Sequence, residues 1–384
     1  MCNDLRTEAP RYPLVLARCR TCDLVQLDGA SRLDPTAVFP ASYPYRTRHS
    51  EQLKAEARLL CGSINEIISR KIGRPRRQDE MIEVLDVGCN DGTFLDEFAR
   101  HGYATYGIDP TDAVLDCTSS HIVAQRPLDD AFVTGILADK PNGFGVVMCN
   151  NVFAHVPDPI AFANLMRRLT HQHGFVSVSN HYLGAVLDGQ WDTVYHEHRR
   201  YYSAETLTQT LTSAGLWVFA RRFTVVHGGS INLLAGPAQI ENADVRIEEE
   251  STFSTGLHNF SASVTRHVET IRARVRDNWG SRPVILAGVP SRAGTLVGAC
   301  GFMRADIAMA VEPAGSAKIG GFLPGTDIPI MSDDAAPAQA VVLIGSHHLG
   351  EPFIRKMVAR YGGPAIVPHG WSVLTVSEHE VTRA

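Results

Sequence analysis

Hydrophobic positions along the chain fall into short apolar runs separated by amphipathic stretches. Runs at 82–87, 104–108, 145–149 and 175–178 predict strands buried on both faces. Between them, 94–101 and 160–169 carry apolar residues at helical spacing and predict helices. This alternation implies a mostly parallel sheet with helices on both faces, an α/β fold. Upstream, 24–27 predicts a short strand and 51–70 a helix, followed by a basic loop at 71–77. Downstream, Ser203 is placed to cap a helix that carries Leu207 and Leu211 and stops at Gly215, and 217–226 predicts another strand. The stripe Leu257, Phe260, Val264, Val268, Ile271 and Val275 predicts a packing helix. From 283 the rhythm restarts, with strands at 283–288, 307–311 and 340–345 and helices at 295–302 and 352–361, a second α/β unit.

The strand 82–87 runs into Gly88-Cys89-Asn90-Asp91-Gly92, and a helix opens at Thr93. Glycines in such a turn let the backbone bend and approach a ligand, while the free N–H groups of the helix point toward it. The next strand ends at Asp109, where a carboxylate can accept both hydroxyls of a ribose. The third glycine of a dinucleotide fingerprint is missing, and Asp86 suits an ammonium but would repel a pyrophosphate. Together these favour S-adenosylmethionine over NAD. The 145–149 strand leads into Asn150-Asn151-Val152-Phe153-Ala154-His155, a polar loop at the carboxyl end of the sheet, near the expected crevice.

The chain has 384 residues, 44% hydrophobic and 20% charged, enough for two or three domains. Its net charge of −5 offers no basic footprint, so nucleic acid is not expected as a partner. No apolar run is long enough to span a bilayer and the first residues lack a signal peptide, so a cytoplasmic location is expected. Six cysteines are scattered without disulfide spacing, whereas Cys19 and Cys22 form a C-x-x-C pair that supplies two of the four ligands of a structural zinc.

The segment 190–202 gathers Tyr195, His196, Glu197, His198, Arg199 and Arg200 with two further tyrosines. A histidine oriented by a carboxylate is a base, and a phenol beside it can stabilise an oxyanion; alternatively His196 and His198, two apart, present a metal-chelating spacing. His227-Gly228-Gly229-Ser230 offers either a close approach to a ligand or a strand-end turn. Arg292, in the turn 288–294, is placed either to hold a phosphate at a helix N-terminus or simply within a helix cap.

The sequence resembles the S-adenosylmethionine-dependent sugar C-methyltransferases of deoxysugar biosynthesis over nearly its whole length. The likeness is carried by Cys19-x-x-Cys22-Asp23-Leu24-Val25-Gln26-Leu27, Tyr43-Pro44-Tyr45, 88–92, Asn151-x-x-x-His155-Val156-Pro157-Asp158, Tyr195-His196-Glu197-His198 and 227–230. It continues through 288–294 and Phe322-Leu323-Pro324-Gly325. The resemblance implies a zinc-type N-terminal module at 1–50, incomplete because its first C-x-x-C pair is absent. It further implies a Rossmann-like methyltransferase domain at 51–240, and a linking helix with a C-terminal Rossmann-like substrate-binding domain at 241–384. The implied reaction is methylation of C3 of a TDP-linked 4-keto-deoxyhexose in antibiotic-type biosynthesis, by a monomer or homodimer. His198 is the implied base, Glu197 its positioning partner and Tyr195 the group beside the enolate. S-adenosylmethionine is assigned to Asp86, Gly88, Asn90, Asp91, Gly92, Asp109, Asn151 and His155. Tyr43, Tyr45, His181, His196, His227, Gly228, Ser230 and Arg292 are assigned to the nucleotide sugar, and Cys19 and Cys22 to zinc. Ser346-His347-His348 stands where the family frequently has Trp-Asn, and Arg199 and Arg200 replace residues that are commonly aromatic or small. A methyltransferase acting on another keto carbon or on a hydroxyl, and an idle cofactor-binding protein, stay open as alternatives.

Overall fold

The computed structural model describes residues 12–34, 43, 45–71, 82–237 and 256–383. These residues form two compact units that are not consecutive in sequence. The first comprises 16–182 and 199–237; the second comprises 12–15, 183–198 and 256–383. Where the sequence suggested a linear division, 12–15 and 183–198 group with the C-terminal part of the chain, and the other described residues before 51 group with the central sheet.

The first unit contains β1 (Leu16–Arg18), β2 (Val25–Leu27), β3 (Glu83–Val87), β4 (Ala104–Asp109), β5 (Ile122–Gln125), β6 (Phe144–Asn150), β7 (Thr170–His181), β8 (Arg200–Tyr201), β9 (Trp217–Thr224) and β10 (Ser230–Gly236). Seven of them form one sheet in the order β5-β4-β3-β6-β7-β10-β9. The first five are parallel, and β10 runs antiparallel between β7 and β9. Parallel strands need apolar residues on both faces, and Val146, Val147, Met148 and Cys149 are fully buried accordingly. The order reverses between β3 and β6, so their carboxyl ends border the crevice where open α/β sheets bind ligands.

Helix ends follow local chemistry. Asp158 caps Pro159–Leu169 by accepting from the N–H groups of Ile160 and Ala161, with proline at the first helical position. Ser203 and Thr206 form a reciprocal capping box on Ala204–Ser213. Strand β5 and the helix Asp130–Asp139 lie in a stretch where no element was expected. Three of the four side chains of β5 are exposed, so the strand has no apolar run to announce it. Strand β10 was hidden by the glycine turn before it and by Asn232 at its centre, although all seven of its residues are buried.

A separate three-stranded sheet, β1-β2-β8, joins the N-terminal hairpin to the chain just past His198. Cys19 and Cys22 sit on the β1–β2 turn as free thiols, half-buried and exposed respectively.

The second unit contains β11 (Val284–Ala287), β12 (Met309–Glu312), β13 (Ile330–Ser332), β14 (Ala340–Ile344), β15 (Gly362–His369), β16 (Ser372–Val376) and β17 (Val381–Arg383). Their order is β13-β12-β11-β14-β15-β16-β17, parallel through β15 and antiparallel beyond. The helix Phe260–Val275 buries Val268, Ile271 and Val275 in a core shared with Leu296, Leu343 and Ile366. The helix Gly350–Tyr361 covers the other face with Ile354, Met357 and Val358. Trp191 contributes to the first of these cores, and its indole N–H donates to His267 Nδ1 at 2.9 Å. Among the described residues no helix is long and apolar enough to cross a membrane.

Candidate active site

In the first unit the turn after β3 is built from left-handed residues. Gly88, Asn90 and Gly92 have φ of 79°, 51° and 77°. A Cβ on Gly88 would lie 2.4 Å from Val152 Cγ2, so only glycine fits there. Most polar groups of the turn already have partners. Asn90 accepts from the Thr47 N–H at 2.9 Å and donates to the Tyr45 carbonyl at 3.1 Å. Asp91 accepts from the N–H of Arg48 at 2.9 Å and the hydroxyl of Thr93 at 2.6 Å. Asp109 accepts from the N–H groups of Asn90 at 2.9 Å and Thr111 at 2.8 Å. Tyr43 donates its N–H to Asp112 at 3.1 Å.

Three neighbouring side chains at the strand ends stand apart. Asp86 Oδ1, both amide atoms of Asn150 and Asn151 Oδ1 are buried without a hydrogen-bond partner. Asp86 is 2% exposed, and its burial, with Asp109 adding negative charge nearby, pushes its carboxyl up to about 8. Asn150 and Asn151 line a pocket together with Ser179, Ser230 and Asn232. A buried polar atom left unpaired costs about 1–3 kcal/mol, so their clustering marks a place that a polar ligand completes. S-adenosylmethionine fits: its ammonium offers the donor and the charge that a buried carboxyl at Asp86 lacks. Zinc does not fit the described residues, since Cys19 and Cys22 supply two thiols and no group of three or more His, Cys, Asp or Glu side chains is placed to hold a metal. Cys2 lies outside the described residues.

Beside the pocket, β7 and β10 pair His181 with Ser230. The rings of His181 and His227 lie 5.6 Å apart, and Gly228 provides the turn between. The Ser230 hydroxyl donates to the Val226 carbonyl at 3.0 Å. Four residues expected to meet substrate thus gather at one sheet end. His155, half-buried, is in the β6 loop, its N–H given to the Val152 carbonyl at 2.9 Å.

In the second unit the segment 183–198 carries Tyr195, His196, Glu197 and His198. His198 is buried, and its Nδ1 lies 3.1 Å from the Thr193 carbonyl. A carbonyl only accepts, so Nδ1 bears a proton; when the ring is neutral its lone pair is therefore on Nε2. The Tyr195 hydroxyl lies 3.1 Å from Nε2 and donates to it in the neutral ring, the two rings being 4.2 Å apart at 33°. The orienting role that the resemblance gives to Glu197 is filled here by a backbone carbonyl; Glu197 accepts from the Ser291 hydroxyl at 3.2 Å. His196 donates to the Pro13 carbonyl at 3.0 Å.

Residues 53–220 match the model of a methyltransferase domain, and 225–368 that of the C-methyltransferase C-terminal domain. Over 338 residues the chain is 26% identical to the C-methyltransferase NovU of Streptomyces niveus, covering 85% of this chain and 77% of that protein. The chain belongs to the S-adenosylmethionine-dependent C-methyltransferases. A ubiquinone biosynthesis O-methyltransferase of Nitrosomonas europaea is 27% identical over 147 residues, 35% of this chain and 63% of that protein. Magnesium protoporphyrin IX methyltransferase from Synechocystis PCC 6803 with bound S-adenosylmethionine aligns at TM-score 0.33 and 15% identity, over 48% of this chain and 81% of that one.

In this C-methyltransferase, Arg292 is not an open phosphate contact. Its guanidinium is 4% exposed and pairs with Asp192, Nε to Oδ2 at 2.9 Å and Nη2 to Oδ1 at 2.5 Å, and also donates to Gln190 Oε1 at 2.6 Å. Sequence reasoning passed over Asn150, Asp192 and His347 as site residues. Asn150 had a signal, a second asparagine at a strand end beside Asn151. The Thr193 carbonyl had none, because a backbone acceptor leaves no trace in residue identity.

Proposed function

We propose that this C-methyltransferase removes the proton from the carbon next to a ketone, C3 of a TDP-linked 4-keto-deoxyhexose, and methylates the enolate at that carbon. One observation above all supports the reading: a buried imidazole, His198, whose Nδ1 faces a backbone carbonyl and whose Nε2 has a phenol within hydrogen-bond reach. In the proposed step Nε2 takes the carbon-bound proton, and Tyr195 turns its hydroxyl to the oxygen where negative charge develops. The Thr193 carbonyl then accepts from an imidazolium and stabilises it. When bound, S-adenosylmethionine supplies a methyl group on a positively charged sulfur. Asp86 would hold its ammonium, Asp109 its ribose hydroxyls and the 88–92 turn its backbone-facing side, with Asn151 and His155 alongside. Tyr43, Tyr45, His181, His196, His227, Gly228 and Ser230 are the proposed contacts to the nucleotide sugar, and Glu197, which accepts from the Ser291 hydroxyl, is proposed to steady the backbone next to the base. The reading carries a deoxysugar pathway of the antibiotic type, a cytoplasmic location and a monomer or homodimer.

The test is mass spectrometry of TDP-4-keto-deoxyhexoses incubated in heavy water with the protein and S-adenosylhomocysteine. Deuterium uptake next to the ketone is expected with at least one sugar and not with His198→Ala. No uptake with any sugar, while S-adenosylhomocysteine demonstrably binds, overturns the acceptor.

A further inference from the structure

Three elements of the second unit converge on Asp192: the short turn Trp191–Thr193, the first turn of the helix Ser291–Cys300, and the turn His347–Leu349 after β14. Asp192 is 2% exposed and both its oxygens are engaged. Beyond the two bonds from Arg292, Oδ2 lies 2.9 Å from His347 Nε2. Arg292 Nη2 is 3.0 Å from the same nitrogen, but its two hydrogens are directed at Gln190 and Asp192; a carboxylate accepts, so the imidazole nitrogen carries the proton and donates. Burial alone would push the Asp192 carboxyl up; Arg292 and His347 outweigh it and hold it below the ordinary carboxylate range. Asp192 therefore stays an anion among donors from two other elements.

The next residue is the one whose carbonyl takes the His198 Nδ1 proton. On its other side, the Val194 carbonyl accepts from the Thr295 hydroxyl at 3.1 Å, one turn along the helix from Arg292. The Thr193 hydroxyl is tied to the Gln190 carbonyl at 2.6 Å. The peptide that orients the imidazole is thus fixed on both flanks by the helix Ser291–Cys300. We propose that Asp192, Arg292 and His347 are positioning residues that hold the Thr193 carbonyl in place and thereby keep His198 in the tautomer that is protonated on Nδ1 and not on Nε2. The proposal rests on the reading of His198 as the base for its consequence in turnover, but its structural content stands without it.

The test uses full-length protein labelled with 15N-histidine, with His198→Ala to identify the His198 ring signals. Removing one partner would strand a buried charge, so the main variant is the double replacement Asp192→Asn with Arg292→Met, which takes out both charges together. His347→Gln, whose amide can still donate to Asp192, is the gentler second variant and keeps the test available if the double variant fails to fold. In the natural protein the His198 Nε2 resonance is expected at the position of an unprotonated nitrogen. In the double variant the two ring nitrogens are expected to move toward the averaged shifts of a free imidazole, with a smaller movement in His347→Gln. Unchanged His198 signals in the folded double variant, or in folded His347→Gln if the double variant does not fold, overturn the proposal. With an accepted TDP-4-keto-deoxyhexose, kcat is expected to fall at least tenfold in the double variant at near-constant KM for S-adenosylmethionine. If no sugar is turned over but the tautomer shifts, the acceptor reading fails and the positioning role stands. If a sugar is turned over and neither kcat nor the tautomer changes, the positioning role fails alone.

Discussion

The candidate cofactor cradle of the first unit and the 183–198 segment of the second treat buried polar groups in opposite ways. At the ends of β3 and β6, Asp86, Asn150 and Asn151 keep buried atoms with no partner. Around Trp191–Thr193, a buried carboxylate, guanidinium and imidazole close on one another. A folded protein tolerates the first arrangement where a ligand repays it, and uses the second where a group must stay put. Charge alone would have misled: Arg292, the residue whose chemistry best suits a phosphate, belongs to the closed set, while an uncharged amide at Asn150 belongs to the open one.

The largest effect that would break this contrast lies in the closed region. His198→Ala is expected to lower deuterium exchange into substrate by about a thousandfold, the usual scale for losing a general base, with little change in S-adenosylhomocysteine affinity. Retained exchange would detach the fixed imidazole from the chemistry. Next in size, Asp86→Asn in the open region is expected to weaken S-adenosylmethionine binding by about a hundredfold, the worth of a charge-assisted bond in a buried site. Calorimetric titration reads this directly.

The same carboxyl makes a pH prediction. Its ordinary value is 3.8 and burial takes it to about 8 in the folded protein without ligand. Binding an ammonium requires the anion, so affinity for S-adenosylhomocysteine is expected to fall by up to about tenfold per pH unit as pH drops below 8. The linked effect on stability has the opposite slope. As pH rises from about 4 to 8 the unfolded chain loses the Asp86 proton while the folded apo protein keeps it, so the apo protein is destabilised across that window. At about 1.4 kcal/mol per unit this amounts to at most roughly 4 kcal/mol at neutral pH. Asp86→Asn should remove the slope, which urea denaturation at several pH values would reveal.

Gly88→Ala is expected to cost about 1–3 kcal/mol through the left-handed backbone and the Val152 contact, and Val152→Ala should recover part of it. Smallest of all, Asn150→Leu should stabilise the apo protein by about 1 kcal/mol, because it removes a buried amide that nothing satisfies. A destabilised Asn150→Leu protein would mean that the amide is satisfied in solution and that the open region is not open.

Much of this was legible in the sequence, and the limits are physical. Strands buried on both faces announce themselves as apolar runs, so β3, β4, β6 and much of β7 were visible, as were the Gly88–Gly92 turn and Asp109 at the next strand end. Strand β5 at the sheet edge and the polar-centred β10 lacked that signature. The polar density of 190–202 singled out that segment, but not which of its members face one another. The pairing of Asp192 with Arg292 spans 100 residues and that with His347 spans 155, and no local pattern encodes such a separation. For the same reason Arg292 read as a ligand contact: its type and its place at a helix start were visible, and its partner was not.

The chain leaves the first unit after Tyr182 and returns to it at Arg199, and this detour has a consequence for recombination. A chimera between relatives joined at one crossover near residue 240 would inherit Asp192 from one parent and both Arg292 and His347 from the other. Each mismatch would leave a buried ion among strangers. Grafting the second unit between relatives thus calls for two inserts moved together, 183–198 with 256–383.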